Sequence, residues 1–173
     1  MTDHTDIFTG EAPISFANRL IGSDSFNDLF RQGMALVEET AAYLDGPGRD
    51  ASRTLSRAGS LVYATESMRL TTRLMQLASW LLLQRAVNEG EMTAAQAGQE
   101  KNKVNLASLS TATSGPGWDE IPVELKELIT ASVHLQKRVQ QLDGGMSDKQ
   151  IMRPANANPV NQQLDRLAAA FGG

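Results

Sequence analysis

Residues 63–88, YATESMRLTTRLMQLASWLLLQRAVN, contain neither Gly nor Pro and are rich in Leu, Met, Ala, Gln and Arg. Such a stretch predicts one long helix. Three rows run along it. Leu61, Ala64, Met68, Thr71, Met75, Ala78 and Leu82 step by three and four, which places them on one face. Leu70, Leu74, Leu77 and Leu81 share a second face, roughly 140° round the axis at about 100° per residue. Glu66, Arg69, Arg73, Gln76 and Trp80 form the third. A helix with two apolar faces needs cover from two sides. This one is therefore expected to be the central member of a bundle, or a member that also meets a second subunit.

The flanking sequence supplies partners for it. After a lead over 1–22, expected to be mobile, Ser23 or Ser25 can cap a first helix near 24–44 whose apolar set includes Phe26, Leu29, Phe30, Gly33 and Val37. Asp45-Gly46-Pro47-Gly48 ends it, and a turn this short favours an antiparallel neighbour. The second helix is expected over 50–88, on the order of 58 Å long at 1.5 Å per residue. Gly90 marks its break, Thr93 and Gln96 have the spacing of a capping box, and a short polar helix can follow to about Asn105. Residues 106–117, LASLSTATSGPG, have loop composition. A third helix near 120–143 begins at Pro122, carries the seam Leu125, Leu128, Ser132, Leu135, Val139 and Leu142, and is expected to close at Gly144-Gly145. The fold class is thus all-α: an antiparallel three-helix bundle over 23–143 with a long central helix, followed by a flexible C-terminal tail over 144–173. Within that tail Leu164, Leu167, Ala168 and Phe171 recur at the spacing of a short amphipathic docking helix.

Chemistry is thin along this chain. With no Cys there is no disulfide, thiolate nucleophile or Cys-ligated zinc, which agrees with a reducing cytoplasm. His4 and His134 stand apart from one another, without Glu or His at ligand spacing. No phosphate-binding loop, dinucleotide fingerprint or nucleophile elbow is present. A helical-bundle enzyme built on inward carboxylates would need Glu-x-x-His pairs, which are absent. The net charge of −4 argues against nucleic acid as a partner, because non-specific binding needs clustered Lys and Arg. The stretch MTDHTDIFTGEAP is acidic where an export signal is basic, and the most apolar run, Leu74 to Leu83, is about half a membrane span. No catalytic residue, metal or cofactor is expected.

The expectation left is protein binding. Glu66, Arg69 and Arg73 are spaced either for intrahelical ion pairs or as a partner-binding stripe. Leu70, Leu74, Leu77 and Leu81 exceed what two partner helices need, so they are expected to contribute to a homodimer interface. Leu164, Leu167 and Phe171 are the expected anchors of the tail.

Three blocks carry a resemblance: GMALVEETAAYLDGPGR at 33–49, YATESMRLTTRLMQLASWLLLQRAVNEGEM at 63–92, and the terminal NQQLDRLAAAFG. Over roughly half its length the chain resembles the alphaproteobacterial regulator of CtrA degradation family, RcdA. That resemblance implies a non-enzymatic, dimer-forming three-helix adaptor that brings cell-cycle regulators to the ClpXP protease, alongside CpdR-like and PopA-like adaptors. It also implies a cytoplasmic protein recruited to the cell pole. The alternative is a structural dimeric helical bundle whose tail is inert.

Overall fold

The computed structural model describes residues 24–106 and 114–151, with side chains through Met146. Among the described residues the helices are, in order, α1 (Asp24–Asp45), α2 (Pro47–Ser52), α3 (Arg57–Asn88), α4 (Ala94–Lys101) and α5 (Val123–Ile151). The expected all-helical class is observed, with no strand among the described residues.

α1 buries Phe26, Leu29, Gly33, Leu36 and Thr40, a seam stepping by three and four that turns inward against α3 and α5. Gly33 lets the helices approach: a Cβ there would lie 2.5 Å from Leu81 Cδ1. Pro47 does not simply stop α1. It opens the short helix α2, where its missing N–H falls among amides that have no intrahelical partner anyway.

The long helix begins seven residues later than the composition suggests, at Arg57 rather than Asp50. A local cap and a contact from far along the chain meet at this start. Ser56 Oγ accepts from Gly59 N at 3.1 Å as an N-cap, and the Glu120 carboxylate takes both the Ser56 N–H at 3.1 Å and its hydroxyl at 2.7 Å. A carboxylate at this position also complements the positive end of the helix dipole.

The helices are not antiparallel throughout. α1 runs against α3, since Gly33 meets Leu81 and the Arg85 guanidinium lies 4.7 Å from the Phe30 ring centroid, while Gly48 at the other end sits against Tyr63. α5, however, runs parallel to α3: Glu120, just before α5, meets Ser56, Arg73 meets Ser132 and Gln136, and Trp80 meets Asp143. This corrects the antiparallel expectation. The stretch through α2 brings α3 back antiparallel to α1, but the connection from Glu89 to Pro122 is long enough to return to the starting end. Its last part closes over the first turn of α3, where Gly117, at φ +84°, is packed against the Ala58 and Gly59 backbone.

α4 carries the expected capping box, with Gln96 N donating to Thr93 Oγ1 at 3.2 Å and Thr93 N donating to Gln96 Oε1 at 3.0 Å; it ends at Lys101, short of Asn105. α5 departs from expectation at its other end. It passes through Gly144-Gly145 and continues to Ile151. Glycine weakens a helix by about 1 kcal/mol per residue without forbidding it. Here Asp143 is held by Trp80 Nε1 at 2.8 Å, and Met146 packs against the core, so tertiary contact sustains the helix. The expected mobile lead over 1–22 and the tail residues Leu164, Leu167 and Phe171 lie outside the described residues.

Candidate functional site

α3 positions everything of interest, because one of its faces is core, one is a buried polar seam and one has no cover among the described residues. The core face is the leucine row. Leu70, Leu74, Leu77 and Leu81 are each at most 3% exposed and join Trp80, Leu125, Leu128, Leu135 and Val139 in a single cluster. They are therefore not a surface through which subunits meet, and the expected dimer interface is corrected on this point. α1 and α5 are enough to cover the row, since α5 lies alongside α3 with its own seam facing inward.

The charged row is corrected in the same way. Glu66 and Arg73 are 2% and 1% exposed, so they present no stripe to a partner. Arg69 is the outermost member; its side chain is 34% exposed and its Nη1 donates to Glu66 Oε1 at 2.5 Å. Arg73 Nη1 donates to Ser132 Oγ at 2.9 Å and its Nε donates to Gln136 Oε1 at 3.1 Å. Burial pushes the Arg73 guanidinium below its ordinary value; the nearby Glu66 opposes this and Arg69 adds to it. The network continues outward. Gln136 Nε2 and Gln140 Nε2 both donate to the Leu106 carbonyl, at 3.1 and 2.6 Å, so the returning connection is tied to α5 at the level of the arginine. These residues hold register and direction between parallel helices.

The uncovered face is the remaining row. Leu61, Met68, Met75 and Leu82, seven residues apart, are 69, 72, 67 and 53% exposed. Only one other large apolar side chain among the described residues, Val123, is comparably exposed, so the row is a patch rather than scatter. Between them lie Ala64, Thr65, Thr71, Thr72, Ala78 and Ser79, each exposed or half-buried. No exposed position of α3 from Leu61 to Leu82 is charged, in a chain that is 21% charged. The hydroxyls are also turned inward: those of Thr65, Thr71, Thr72 and Ser79 donate to the carbonyls of Leu61, Ser67, Met68 and Met75 at 2.8–2.9 Å. Their donors are satisfied within the helix, and the face can dry without leaving an orphaned N–H or O–H. It was legible in the sequence as a seam; what the sequence did not settle was which of the two apolar rows lies inside.

At its C-terminal end the row meets a shallow groove between α3 and α4, lined by Leu82, Leu83, Ala86 and Val104 with Glu100 and Lys103. Beneath α4, Lys101 Nζ sits 4.3 Å from the Trp80 ring centroid and donates to Gln84 Oε1 at 2.6 Å. Burial pushes this amine down to about 8, with Asp143 acting in the opposite direction.

Among the described residues no group of three His, Cys, Asp or Glu side chains is placed to hold a metal ion, and no helix is long and apolar enough to cross a membrane.

Comparison with known proteins agrees with the helical reading. The sequence matches, over residues 17–171, a family described as "Protein of unknown function (DUF1465)". The crystal structure of RcdA from Caulobacter crescentus CB15 is similar to this one, at 51% sequence identity and a TM-score of 0.58, covering 70% of this chain and 89% of that chain. Among curated proteins nothing matches. With the family match spanning most of the sequence and half the aligned residues shared with RcdA, the chain belongs to the DUF1465 family and is a relative of RcdA.

Proposed function

We propose that this protein is a non-enzymatic adaptor that delivers cell-cycle regulators, CtrA-type response regulators among them, to the ClpXP protease. It would act as a homodimer, in the cytoplasm and recruited to the cell pole, together with CpdR-like and PopA-like adaptors. The observation that carries this reading is the 51% identity to RcdA over 89% of that chain. The uncharged outer face of α3 supports it, because a rigid helical face with satisfied donors suits protein contact.

The tail adds the second attachment. Leu164, Leu167 and Phe171 are spaced for one face of two helical turns, and a tethered segment of this kind binds at an effective concentration around millimolar, so weak contacts add up. Reconstituted proteolysis tests the proposal: ClpXP, a candidate cargo and the partner adaptors are combined with and without this protein. Accelerated cargo loss is expected. Unchanged cargo half-life across CtrA-type regulators would favour a structural dimeric bundle with an inert tail. Replacing Leu164, Leu167 and Phe171 by Ser is expected to reduce the stimulated rate while leaving the melting temperature alone.

A further inference from the structure

The chain leaves the described bundle at the end where the α3–α4 groove lies. Asp143 of α5 is held by Trp80 of α3 and the two helices run in the same direction, so Ile151 falls level with Asn88, about 12 Å beyond Trp80 at 1.5 Å per residue. The groove lies just short of that level, with Ser79, Leu82, Leu83 and Ala86 on one wall and Glu100, Lys103 and Val104 on the other. Leu83, Ala86 and Val104 are half-buried and stand outside the core cluster. A ligand for them presents apolar side chains over about 10.5 Å, the rise from Ser79 to Ala86.

We propose that the occupant is residues 164–171 of the same chain, seated with Leu164, Leu167, Ala168 and Phe171 against Leu83, Ala86 and Val104. The apolar row of this segment, at i, i+3, i+4 and i+7, spans the same seven-residue rise as the α3 wall. Thirteen residues separate Ile151 from Leu164, a reach of up to about 43 Å, and the way back to Ala86 is a fraction of it. The lead over 1–22 is less well placed. α1 packs on Leu81, and Leu83 stands about 160° round α3 from that contact, while Leu20 and Ile21 are only four and three residues from Asp24. Charge does not oppose the fit: Glu100 and Lys103 pair with one another at 2.8 Å, and the segment brings one acid and one base, Asp165 and Arg166.

The consequence is competition for the tail. A tether of this length gives an effective concentration around millimolar, so a contact of millimolar affinity leaves docked and free forms about equal and moves the melting temperature by only about 1 °C. Any partner that takes the tail then binds it about twofold more weakly than it binds the isolated segment. The inference deepens the reading of this segment as an attachment and rests on that reading for its use, not for its occurrence.

A spin label tests it, because the chain has no native Cys and Gly172→Cys gives one attachment point beside Phe171. In the full-length isotope-labelled protein, a nitroxide at 172 is expected to reduce the amide signals of Leu83, Ala86 and Val104 at least twofold, and to spare Asn27 on α1 at the same end of the bundle. Adding Leu164→Ser, Leu167→Ser and Phe171→Ser should restore those signals to within about a tenth. Equal loss at Asn27 and the groove, no loss at either, or loss that survives the three serines would overturn the proposal. So would loss that appears only when spin-labelled and isotope-labelled chains are mixed, which seats a second copy's tail in the groove, or loss from a nitroxide at Thr9→Cys in place of 172, which seats the lead there. None of these signals depends on proteolysis, so this inference and the adaptor reading fail separately.

Discussion

Arg73 Nε of α3 and Gln136 Oε1 of α5 lie 3.1 Å apart, both residues at most 4% exposed, on two helices that run in the same direction. A guanidinium in the core is tolerated because Ser132 and Gln136 take its hydrogens and Glu66 supplies the opposite charge nearby. Removing one member of such a set strands the others. Arg73→Ala is expected to cost about 3–5 kcal/mol in urea unfolding, and Arg73→Glu to prevent folding. Arg69→Ala, at the solvent edge, should cost under about 1 kcal/mol. Equal costs at the two positions would show that Arg73 is not structurally buried.

The two apolar rows of α3 separate stability from association. Leu81 is fully buried against Gly33, so Leu81→Ala is expected to lower unfolding free energy by about 2–5 kcal/mol. Met68→Ser with Met75→Ser alters only exposed positions and is expected to leave a dilute monomer's stability within about 0.5 kcal/mol. The same pair should move sedimentation at higher concentration toward monomer. If it destabilises the dilute protein as much as Leu81→Ala does, the outer row is covered within one chain.

Gly117 offers a sharper test of the returning connection. Its φ of +84° disfavours any side chain, and a Cβ would come within 2.6 Å of the Ala58 backbone, which cannot yield as a side-chain tip can. Gly117→Ala is expected to cost about 1–3 kcal/mol and to increase hydrogen exchange at the first turn of α3. Gly90→Ala, at φ +77° with nothing within 4 Å, carries the backbone penalty without the collision and should cost less.

Much of this fold was legible in residue order, and what was not has a common origin. The helices, the capping box at Thr93 and the inward seam of α5 follow from periodicity and local capping, which act over a few residues. The late start of α3 combines a local cap at Ser56 with a contact from Glu120, sixty-four residues away, and only the first is visible in local sequence. The parallel course of α5 depends on a connection long enough to permit either direction. The assignment of inside and outside on α3 failed because both rows are apolar. Burial went to the all-leucine row, where α5 places its own seam, and the row broken by Ala and Thr was left outside. Arg73 was misread for a related reason: a charged residue at helical spacing looks solvated until Ser132 and Gln136 are seen to take its hydrogens.

Lys101 and Tyr43 together set a pH dependence whose sign can be worked out. Burial pushes the Lys101 amine from the ordinary 10.5 down to about 8, against the pull of Asp143. Between those values the unfolded chain binds a proton that the folded chain has released, so unfolding free energy rises with pH there. Tyr43 acts the other way. Burial, with Tyr63 and Glu124 adding to it, pushes its phenol from 10.0 up to about 12, and the folded chain then keeps a proton that the unfolded chain loses. Stability is therefore expected to climb from about pH 8 to about pH 10 and to stop climbing above that. Urea midpoints measured through this window check it. Lys101→Met, which keeps apolar cover over the Trp80 ring, should flatten the rise; Tyr43→Phe should lessen the fall in stability above pH 10, to which the Tyr63 phenol, also pushed up by burial, still contributes. A rise that survives in Lys101→Met would assign the titration to another group and release Lys101 from its place under α4.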